Sequence, residues 1–176
     1  MKPNVPSFAE LLEKTQTSAV HLEMRDSYGV PSEADTFASF LRGEWSEEAQ
    51  RAERSSWLNL VAAATARGVV MRRARIVSEP VSDYIRYEHA GTQMNIDAGE
   101  QVRWLPRRRA FDIALPGTDF WVFDGRLVQL HNWTGTGDWH PDEPKVRTED
   151  PSVVKLCASA FETVWERAIP HARYTV

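Results

Sequence analysis

The sequence has few of the features that mark secreted or membrane proteins. Its one cysteine, Cys157, excludes a disulfide framework and suits a reducing compartment. No apolar run approaches the roughly 18 residues of a membrane span, and the N-terminus lacks the charged and apolar pattern of a signal peptide. We therefore expect a cytoplasmic protein that makes no use of a membrane.

The signature motifs of several enzyme classes are also absent. The chain has no Walker loop, no GxGxxG, no HExxH, no CxxC pair and no GxSxG elbow. None of its histidines has a lysine two positions later, so the HxK motif of phospholipase-type phosphodiesterases is missing. These absences favour a protein that is not an enzyme and that binds no cofactor.

Two weaker chemical signals have simpler explanations. Asp138 and His140, with His131 nearby, have a spacing that metal ligands can have on an extended loop. A polar surface loop packed around Trp139 accounts for them as well, so we predict no metal site. Cys157 falls within an apolar helical stripe, which is typical of an inert core thiol rather than of a nucleophile.

The distribution of charge argues against a nucleic-acid surface. The net charge is −4, and basic residues are in excess only between residues 69 and 116. On a strand, Arg73 and Arg75 share one face, which we predict to be solvated. Two helices joined by residues 43–46 suggest a helix-turn-helix, but the second begins with Glu47 and Glu48, which phosphates would repel. Direct nucleic-acid binding is therefore not expected.

The first 68 residues predict three helices and one strand. A capping box at Ser7 and Glu10 begins the first helix. The predicted spans are helix 7–16, strand 18–25, helix 32–43 and helix 46–68. Alternation makes the strand half-buried, with Val20, Leu22 and Met24 inward and His21, Glu23 and Arg25 outward.

The remainder predicts a run of strands and a closing helix. The predicted spans are strand 69–77 with Val70, Ala74 and Ile76 inward, a helix from Pro80, a loop 91–99, strands 102–105 and 111–115, and an exposed turn 107–109. A polar loop, 134–144, precedes a last helix that begins at Asp150 and ends before Pro170. Its apolar residues form a wide stripe, as in a helix packed on a core.

Asp124 and Gly125 separate two apolar segments and predict a tight hairpin with a type I′ turn. With a two-residue turn, the predicted pairs are Phe123 with Arg126, Val122 with Leu127, Trp121 with Val128, and Phe120 with Gln129. Trp121 and Val128 would then share one face. Because both faces are apolar, the hairpin is expected inside a layered body.

This order of elements predicts an α+β (mixed α/β) fold with a central, mostly antiparallel sheet and flanking helices. The length suits a single domain over residues 1–176. Residues 1–68 form its mainly helical part with one strand, and residues 69–176 form a sheet-rich part with the closing helix.

Two clusters of polar residues suggest binding. The strand face from His21 to Tyr28 is either solvated, with a local Glu–Arg pair, or a partner or ligand surface. Asp83 and Arg86 can pair within one turn of helix. With Tyr87 beside them and an arginine-bearing strand after them, they are either structural or hold an acidic ligand through guanidinium contacts.

Five segments carry a resemblance over roughly residues 7–174. They are SFAELL, SAVHLEMRDSY, RRARIVSEPVSDYIRYEH, GEQVRWLPR and DFWVFDGRLVQLHNW. Together they resemble an actinobacterial family of unknown function, encoded beside helix-turn-helix regulators and their small partner proteins. The chain from Arg72 onward is also similar to effector domains fused to such regulators, which implies a degenerate phospholipase D-like scaffold without the HxK motif. The positions to watch for ligand or partner binding are Asp83, Tyr84, Arg86, Arg103, Asp119, Trp121, Asp124 and His131.

The resemblance and the missing motifs lead to one functional hypothesis and two rivals. The hypothesis is a non-catalytic regulatory module that binds a partner protein, such as the helix-turn-helix regulator, or a small or acidic ligand. The first rival is a hydrolase or phosphodiesterase that uses His131 as base and Asp124 or Asp119 to orient it. The second is one member of a toxin–antitoxin-like pair.

Overall fold

A computed structural model of the protein describes residues 6–176 and contains a seven-stranded sheet with helices on both faces. The first five residues of the predicted N-terminal part lie outside the described residues. The helices are α1 Phe8–Lys14, α2 Ala34–Leu41, α3 Glu47–Glu53, α4 Ser55–Ala66, α5 Asp83–Asp97 and α6 Pro151–Arg167. The strands are β1 Ser18–Glu23, β2 Val70–Val77, β3 Gln101–Pro106, β4 Phe120–Phe123, β5 Leu127–His131, β6 Lys145–Thr148 and β7 Ile169–Pro170.

The strand order in the sheet is β6-β5-β4-β1-β2-β3-β7. β2 runs parallel to both β1 and β3, and every other neighbouring pair is antiparallel. The predicted α+β class and its mostly antiparallel sheet are therefore confirmed. β1 lies in the middle of the sheet, so the mainly helical part of the sequence supplies a central strand.

The two faces of the sheet are covered by different helices. On one face, α6 packs Phe161 and Val164 against Leu22, Ala74 and other strand residues. On the opposite face, α1 and α4 cover Met71 and Trp121, and α5 covers Val102 and Trp104. We call the second side the cleft face, because the candidate site lies there.

The predicted solvated face of β2 was wrong, and so was the solvated alternative for the face of β1. His21 is only 6% exposed, and Arg73 and Arg75 are buried as well. The reason is topological, since β1 and β2 are interior strands with helices over both faces. Val70, predicted inward, is 45% exposed, and Met71 takes the buried position.

The hairpin turn was predicted correctly, but its register was not. Asp124 and Gly125 both have positive φ, of 51° and 61°, and the amide of Arg126 donates to the carbonyl of Phe123. In the ladder, however, Phe123 pairs with Leu127, so Arg126 is an extra, bulged residue. Every pair is displaced by one: Val122 faces Val128 and Trp121 faces Gln129. The displacement turns Trp121 towards the cleft face and away from Val128.

Several helix boundaries differ from the predicted ones. The single helix predicted over 46–68 is two helices, α3 and α4, that meet at Arg54. α5 begins at Asp83 with Ser82 as its cap, not at Pro80, and continues through the predicted loop 91–99. Gly91 lies inside α5 because the α3–α4 junction packs closely there. A Cβ on Gly91 would lie 2.7 Å from Nη1 of Arg54.

The strand predicted over 111–115 is irregular, and Phe111 is 87% exposed. Conversely, the short strand β6, which was not predicted, pairs with β5 and follows the predicted polar loop. The closing helix is confirmed, since Asp150 caps α6. Cys157 lies on the buried side of α6, and burial raises the pKa of its thiol to about 11. Within residues 6–176, no helix combines the length and apolar character needed to cross a bilayer.

Candidate functional site

A cleft of about 500 Å³ opens over the cleft face of the sheet. Its floor is formed by the strand residues His21, Arg73, Trp121 and His131. α1 and α4 form one wall, and the segments around Glu33 and Trp139–Lys145 form the other. A smaller chamber of about 140 Å³ continues inward from the same floor residues. It is lined by charged and hydroxyl side chains, Glu23, Tyr28, Arg75, Tyr84, Glu88 and Asp119 among them.

Strand register brings the floor residues together. His21 on β1 pairs with Arg73 on the parallel neighbour β2 and with Trp121 on the antiparallel neighbour β4. Paired residues project from the same face of a sheet. Three side chains distant in sequence, an indole, an imidazole and a guanidinium, therefore stand side by side across the cleft floor.

Aromatic rings line much of the cleft. Trp121 contacts Phe8 with ring centroids 5.0 Å apart and Trp57 at 5.9 Å, both edge-on. On the opposite rim, Trp139 stacks on Trp133 with centroids 3.8 Å apart. The cleft is thus a largely apolar, aromatic space above a polar floor, which is the usual composition of a small-molecule site.

Buried ion pairs form the base of the floor. The carboxylate of Glu23 lies 2.8 Å from both Arg73 and Arg75. Arg73 also binds Glu100 at 2.8 Å, and Arg75 binds Glu88 at 2.5 Å. Despite its burial, which favours the protonated form, Glu88 has a lowered pKa because Arg75 and Arg54 lie close to it. The network therefore remains charged and fixes the two guanidinium groups in place.

His21 is the least satisfied polar group of the floor. Its imidazole stacks on Trp121 with centroids 4.2 Å apart. Neither ring nitrogen has a hydrogen-bond partner among residues 6–176. Burial, and then the positive charge of Arg73, hold its pKa well below the ordinary value of 6.5. His21 is accordingly neutral at pH 7, and its Nδ1 lies 3.6 Å from Oε1 of Glu23, beyond hydrogen-bond distance.

His131 forms an edge-on pair with His21, with ring centroids 5.5 Å apart. Its Nε2 lies 3.2 Å from the side-chain nitrogen of Gln129. Burial, followed by the charges of Lys145 and Arg73, lowers the pKa of His131 to about 3. The two imidazoles are therefore both uncharged at neutral pH, and both lie beside cations.

Those cations rest on the aromatic walls. The Arg73 guanidinium lies 5.5 Å from the ring centroid of Trp57 and 5.9 Å from that of Trp121. The Lys145 ammonium lies 5.0 Å from the ring of Trp139. Burial and the nearby Arg147 lower the pKa of Lys145. The cation–π positions of the cleft are thus occupied by the protein itself.

Two carboxyl groups that line the smaller chamber, Glu33 and Asp119, have raised pKa values. Tyr84 donates a 2.6 Å hydrogen bond to Glu33, whose pKa is raised to about 7 by burial and by Glu88. Asp119 accepts hydrogen bonds from the Tyr28 hydroxyl, the Trp133 indole and the backbone amide of residue 24. Burial raises the pKa of Asp119 to about 6.

Only some of the residues singled out from the sequence lie at the cleft. Tyr84, Asp119, Trp121 and His131 line the cleft or its inner chamber. Asp83 and Arg86 form their exposed pair at 2.9 Å on α5. Arg103 lies on the α6 face, where its guanidinium is 4.3 Å from the ring of Trp165. Asp124 accepts hydrogen bonds from the backbone amides of residues 16–18 and so anchors the hairpin to β1.

Other cleft residues were not identified from the sequence. Trp57, Arg54 and Lys145 come from α4, the α3–α4 junction and β6, and nothing in their local sequence indicates that they meet. The sequence indicated His21 only as part of the polar face of β1, because it alternates with apolar residues there. Its neighbours across the sheet could not be known without the strand order.

The side chains of the predicted polar loop that were weighed as metal ligands take part in local hydrogen bonds. Within residues 6–176, no three His, Cys, Asp or Glu side chains are close enough to hold a metal ion. Asp138 accepts a hydrogen bond from the Thr136 hydroxyl, and Nδ1 of His140 accepts from the amide of Glu143.

Comparisons with known proteins identify the fold. The profile of a family described as a domain of unknown function, DUF6879, matches residues 6–176. Nuc, a phospholipase D family member from Salmonella typhimurium, is 12% identical with a TM-score of 0.52, over 92% of this chain and 86% of that protein. TrmBL2, an archaeal chromatin protein with a novel mode of DNA binding, is 17% identical with a TM-score of 0.50. That match covers 91% of this chain but only 47% of TrmBL2. Among curated proteins, none matches.

Proposed function

Since the chain belongs to the DUF6879 family, whose function is unknown, we propose from its cleft that it is a non-catalytic regulatory module that binds a small ligand. The observation that carries this proposal is His21, which lines the cleft and whose two buried ring nitrogens form no hydrogen bond with residues 6–176. A buried polar group without a partner costs about 1–3 kcal/mol. A bound ligand that supplies the missing hydrogen bonds would recover that free energy.

The arrangement of carboxylates supports binding rather than hydrolysis. The carboxylates named for the hydrolase do not orient a histidine, because Asp119 accepts from Tyr28 and Trp133 and Asp124 accepts from the amides of residues 16–18. Glu23 lies 3.6 Å from Nδ1 of His21, but it is shared between Arg73 and Arg75. His131 is instead beside Gln129. The chain also lacks the HxK motif, so its likeness to a phospholipase D family member is one of fold.

The proposed target of regulation is a helix-turn-helix regulator. It follows from the resemblance to an actinobacterial family that is encoded beside such regulators. DNA contact is assigned to that partner rather than to this chain, although TrmBL2 binds DNA. Arg73 and Arg75 are engaged in buried ion pairs, and Arg72 is paired with Glu162 on α6.

A screen of small metabolites by thermal unfolding tests the proposal. Ser56 and Ser55 are adjacent exposed residues of α4, but only Ser56 lines the cleft. Ser56→Trp should fill the cleft and abolish the rise in melting temperature that a ligand causes, whereas Ser55→Trp should retain it. A ligand that stabilises both variants equally binds elsewhere and would contradict the assignment of the cleft.

The proposed regulatory role is tested separately, by co-purification. The neighbouring regulator is co-purified with the wild type and with Ser56→Trp, with and without a ligand found in the screen. We expect complex formation to depend on the ligand for the wild type only. Steady turnover of phosphodiesters that is lost in His131→Ala would favour the hydrolase instead.

A further inference from the structure

We propose that the ligand of this cleft is a planar aromatic carboxylic acid, with its ring between the tryptophans and its carboxylate beside His21, His131 and Lys145. The inference rests on the proposed function, since it concerns the same cleft. It is carried by the shape of the walls, the location of the protein's own cations and the hydrogen-bonding capacity of the two imidazoles.

The walls favour a flat apolar body. Trp57, Trp121 and Trp139 line the cleft, and Phe8 lies beside Trp121. Aromatic rings bind one another best when offset or edge-on, and such contacts add to the free energy of burial. A volume of about 500 Å³ accommodates a one- or two-ring compound.

The position of the cations determines the charge of the ligand. Arg73 already lies over Trp57 and Trp121, and Lys145 over Trp139. An aromatic cage for an ammonium ligand needs those ring faces free, and here a like charge would meet both cations. A carboxylate, in contrast, gains attraction from Lys145, whereas the charge of Arg73 is balanced by Glu23 and Glu100.

The end of the cleft at β5 and β6 provides the donors. His131 pairs with Lys145 across neighbouring strands, and His21 contacts His131 edge-on. Each neutral imidazole has one N–H, so a carboxylate there can accept from both rings and from the ammonium. Burial is the main cause of the depressed pKa of His131, and the charges of Lys145 and Arg73 lower it further.

None of the acidic groups that line the cleft forms an ion pair with Lys145 among residues 6–176. Glu33 is held by the Tyr84 hydroxyl, and its pKa is raised to about 7 by burial. Glu53 is an exposed residue of α3. The Glu23 carboxylate lies 3.6 Å from Nδ1 of His21, but it is shared between Arg73 and Arg75, whose charges balance it. The cleft is therefore polarised, with its cationic end at His131 and Lys145.

Three compounds with the same ring but different charges test which ligand charge the cleft prefers. They are 2-naphthoate, 2-naphthamide and 2-naphthylmethylamine, and each is titrated calorimetrically into the full chain at neutral pH. We expect the acid to bind at least roughly tenfold more tightly than the amide, because charge-assisted hydrogen bonds are stronger than neutral ones. The amine should bind most weakly. Equal affinities, or a preference for the amine, would overturn the inference.

A pair of lysine variants tests the location. Lys145→Met should weaken 2-naphthoate binding by about tenfold while the affinity for 2-naphthamide is unchanged. Lys155→Met removes the same charge from the exposed side of α6 and should have no effect. Loss of amide binding in Lys145→Met, or equal losses in the two variants, would contradict the placement of the carboxylate.

The inference and the proposed function can fail separately. If 2-naphthoate, indole-3-carboxylate and benzoate all fail to bind while the metabolite screen finds a neutral or cationic cleft ligand, the acid is wrong and the binding function stands. If nothing in either set binds, both are wrong. A screen ligand that is an aromatic acid and is weakened by Lys145→Met would support both.

Discussion

The imidazole of His21 lies nearly parallel to the indole of Trp121, with ring centroids 4.2 Å apart, and neither of its buried nitrogens has a hydrogen-bond partner among residues 6–176. The two residues pair across β1 and β4, so the contact is fixed by strand register. The proposed binding function rests on this contact.

Replacing Trp121 should show how much this residue of the cleft floor contributes to the free energy of unfolding. Its side chain is 3% exposed and contacts His21, Phe8, Trp57 and Phe123. Trp121→Ala should lower the free energy of unfolding by about 3–5 kcal/mol, measured by denaturant titration. Trp139→Ala, at the half-buried rim, should cost less. Equal losses would show that Trp121 does not carry the packing assigned to it.

The buried ion pairs should be far more sensitive than the surface ones. Glu23→Gln leaves Arg73 and Arg75 without their shared carboxylate and should cost about 3–5 kcal/mol. Glu162→Gln removes the partner of Arg72 from a half-exposed pair and should cost no more than about 1 kcal/mol. Chemical unfolding of both variants gives the comparison. A small loss in Glu23→Gln would mean that the two guanidinium groups are not desolvated.

His131 should make stability depend on pH. Its folded pKa of about 3 lies below the ordinary value of 6.5, so between these values the unfolded chain binds a proton that the folded chain does not. His131 therefore leaves the free energy of unfolding unchanged above pH 6.5. As the pH falls from 6.5 towards 3, it lowers that free energy by up to about 1.4 kcal/mol per pH unit.

The matched variant for this effect is His131→Gln, which cannot titrate. Because the raised pKa values of Glu33 and Asp119 act in the opposite direction, the difference between wild type and variant is the quantity to follow. The wild type should lose stability relative to the variant as the pH falls from 7 to about 4. A difference that is constant with pH would show that His131 is protonated freely in the folded state.

The hairpin turn should tolerate no β-branched residue. Gly125 has a φ of +61°, although a Cβ there would meet no atom within 4 Å. Gly125→Val should therefore be destabilised by backbone strain alone, by about 1–3 kcal/mol. Gly117 also has open space around it, without a positive φ, so Gly117→Val should be close to wild type in thermal unfolding. Similar melting of the two variants would refute the assigned turn.

Local sequence patterns were sufficient to predict the fold class, the closing helix and the chemistry of the hairpin turn. The register of the hairpin was not predictable, because the bulge at Arg126 depends on how β4 and β5 fit the rest of the sheet. The irregular segment 111–115 was misread for a related reason. Its alternating apolar residues match a strand, but within residues 6–176 the segment pairs with no strand.

The candidate site was predictable only in part. Tyr84, Asp119, Trp121 and His131 were all singled out from the segments that carry the resemblance. The last three also lie in or beside the predicted hairpin. The role of Arg73 was misassigned, since a solvated strand face and a buried ion-pair network have the same alternating pattern. Only the placement of β2 beside β1, with Glu23 between two arginines, distinguishes them.

The most direct test of the account is the chemical shift of the His21 ring nitrogens, followed by two-bond ¹H–¹⁵N spectroscopy while a stabilising ligand is added. We expect the wild type to show a ligand-dependent change at His21, as the unpartnered nitrogens acquire hydrogen bonds, and Ser56→Trp to show none. A ligand that binds and stabilises the protein while the His21 nitrogens stay unchanged would contradict the central claim.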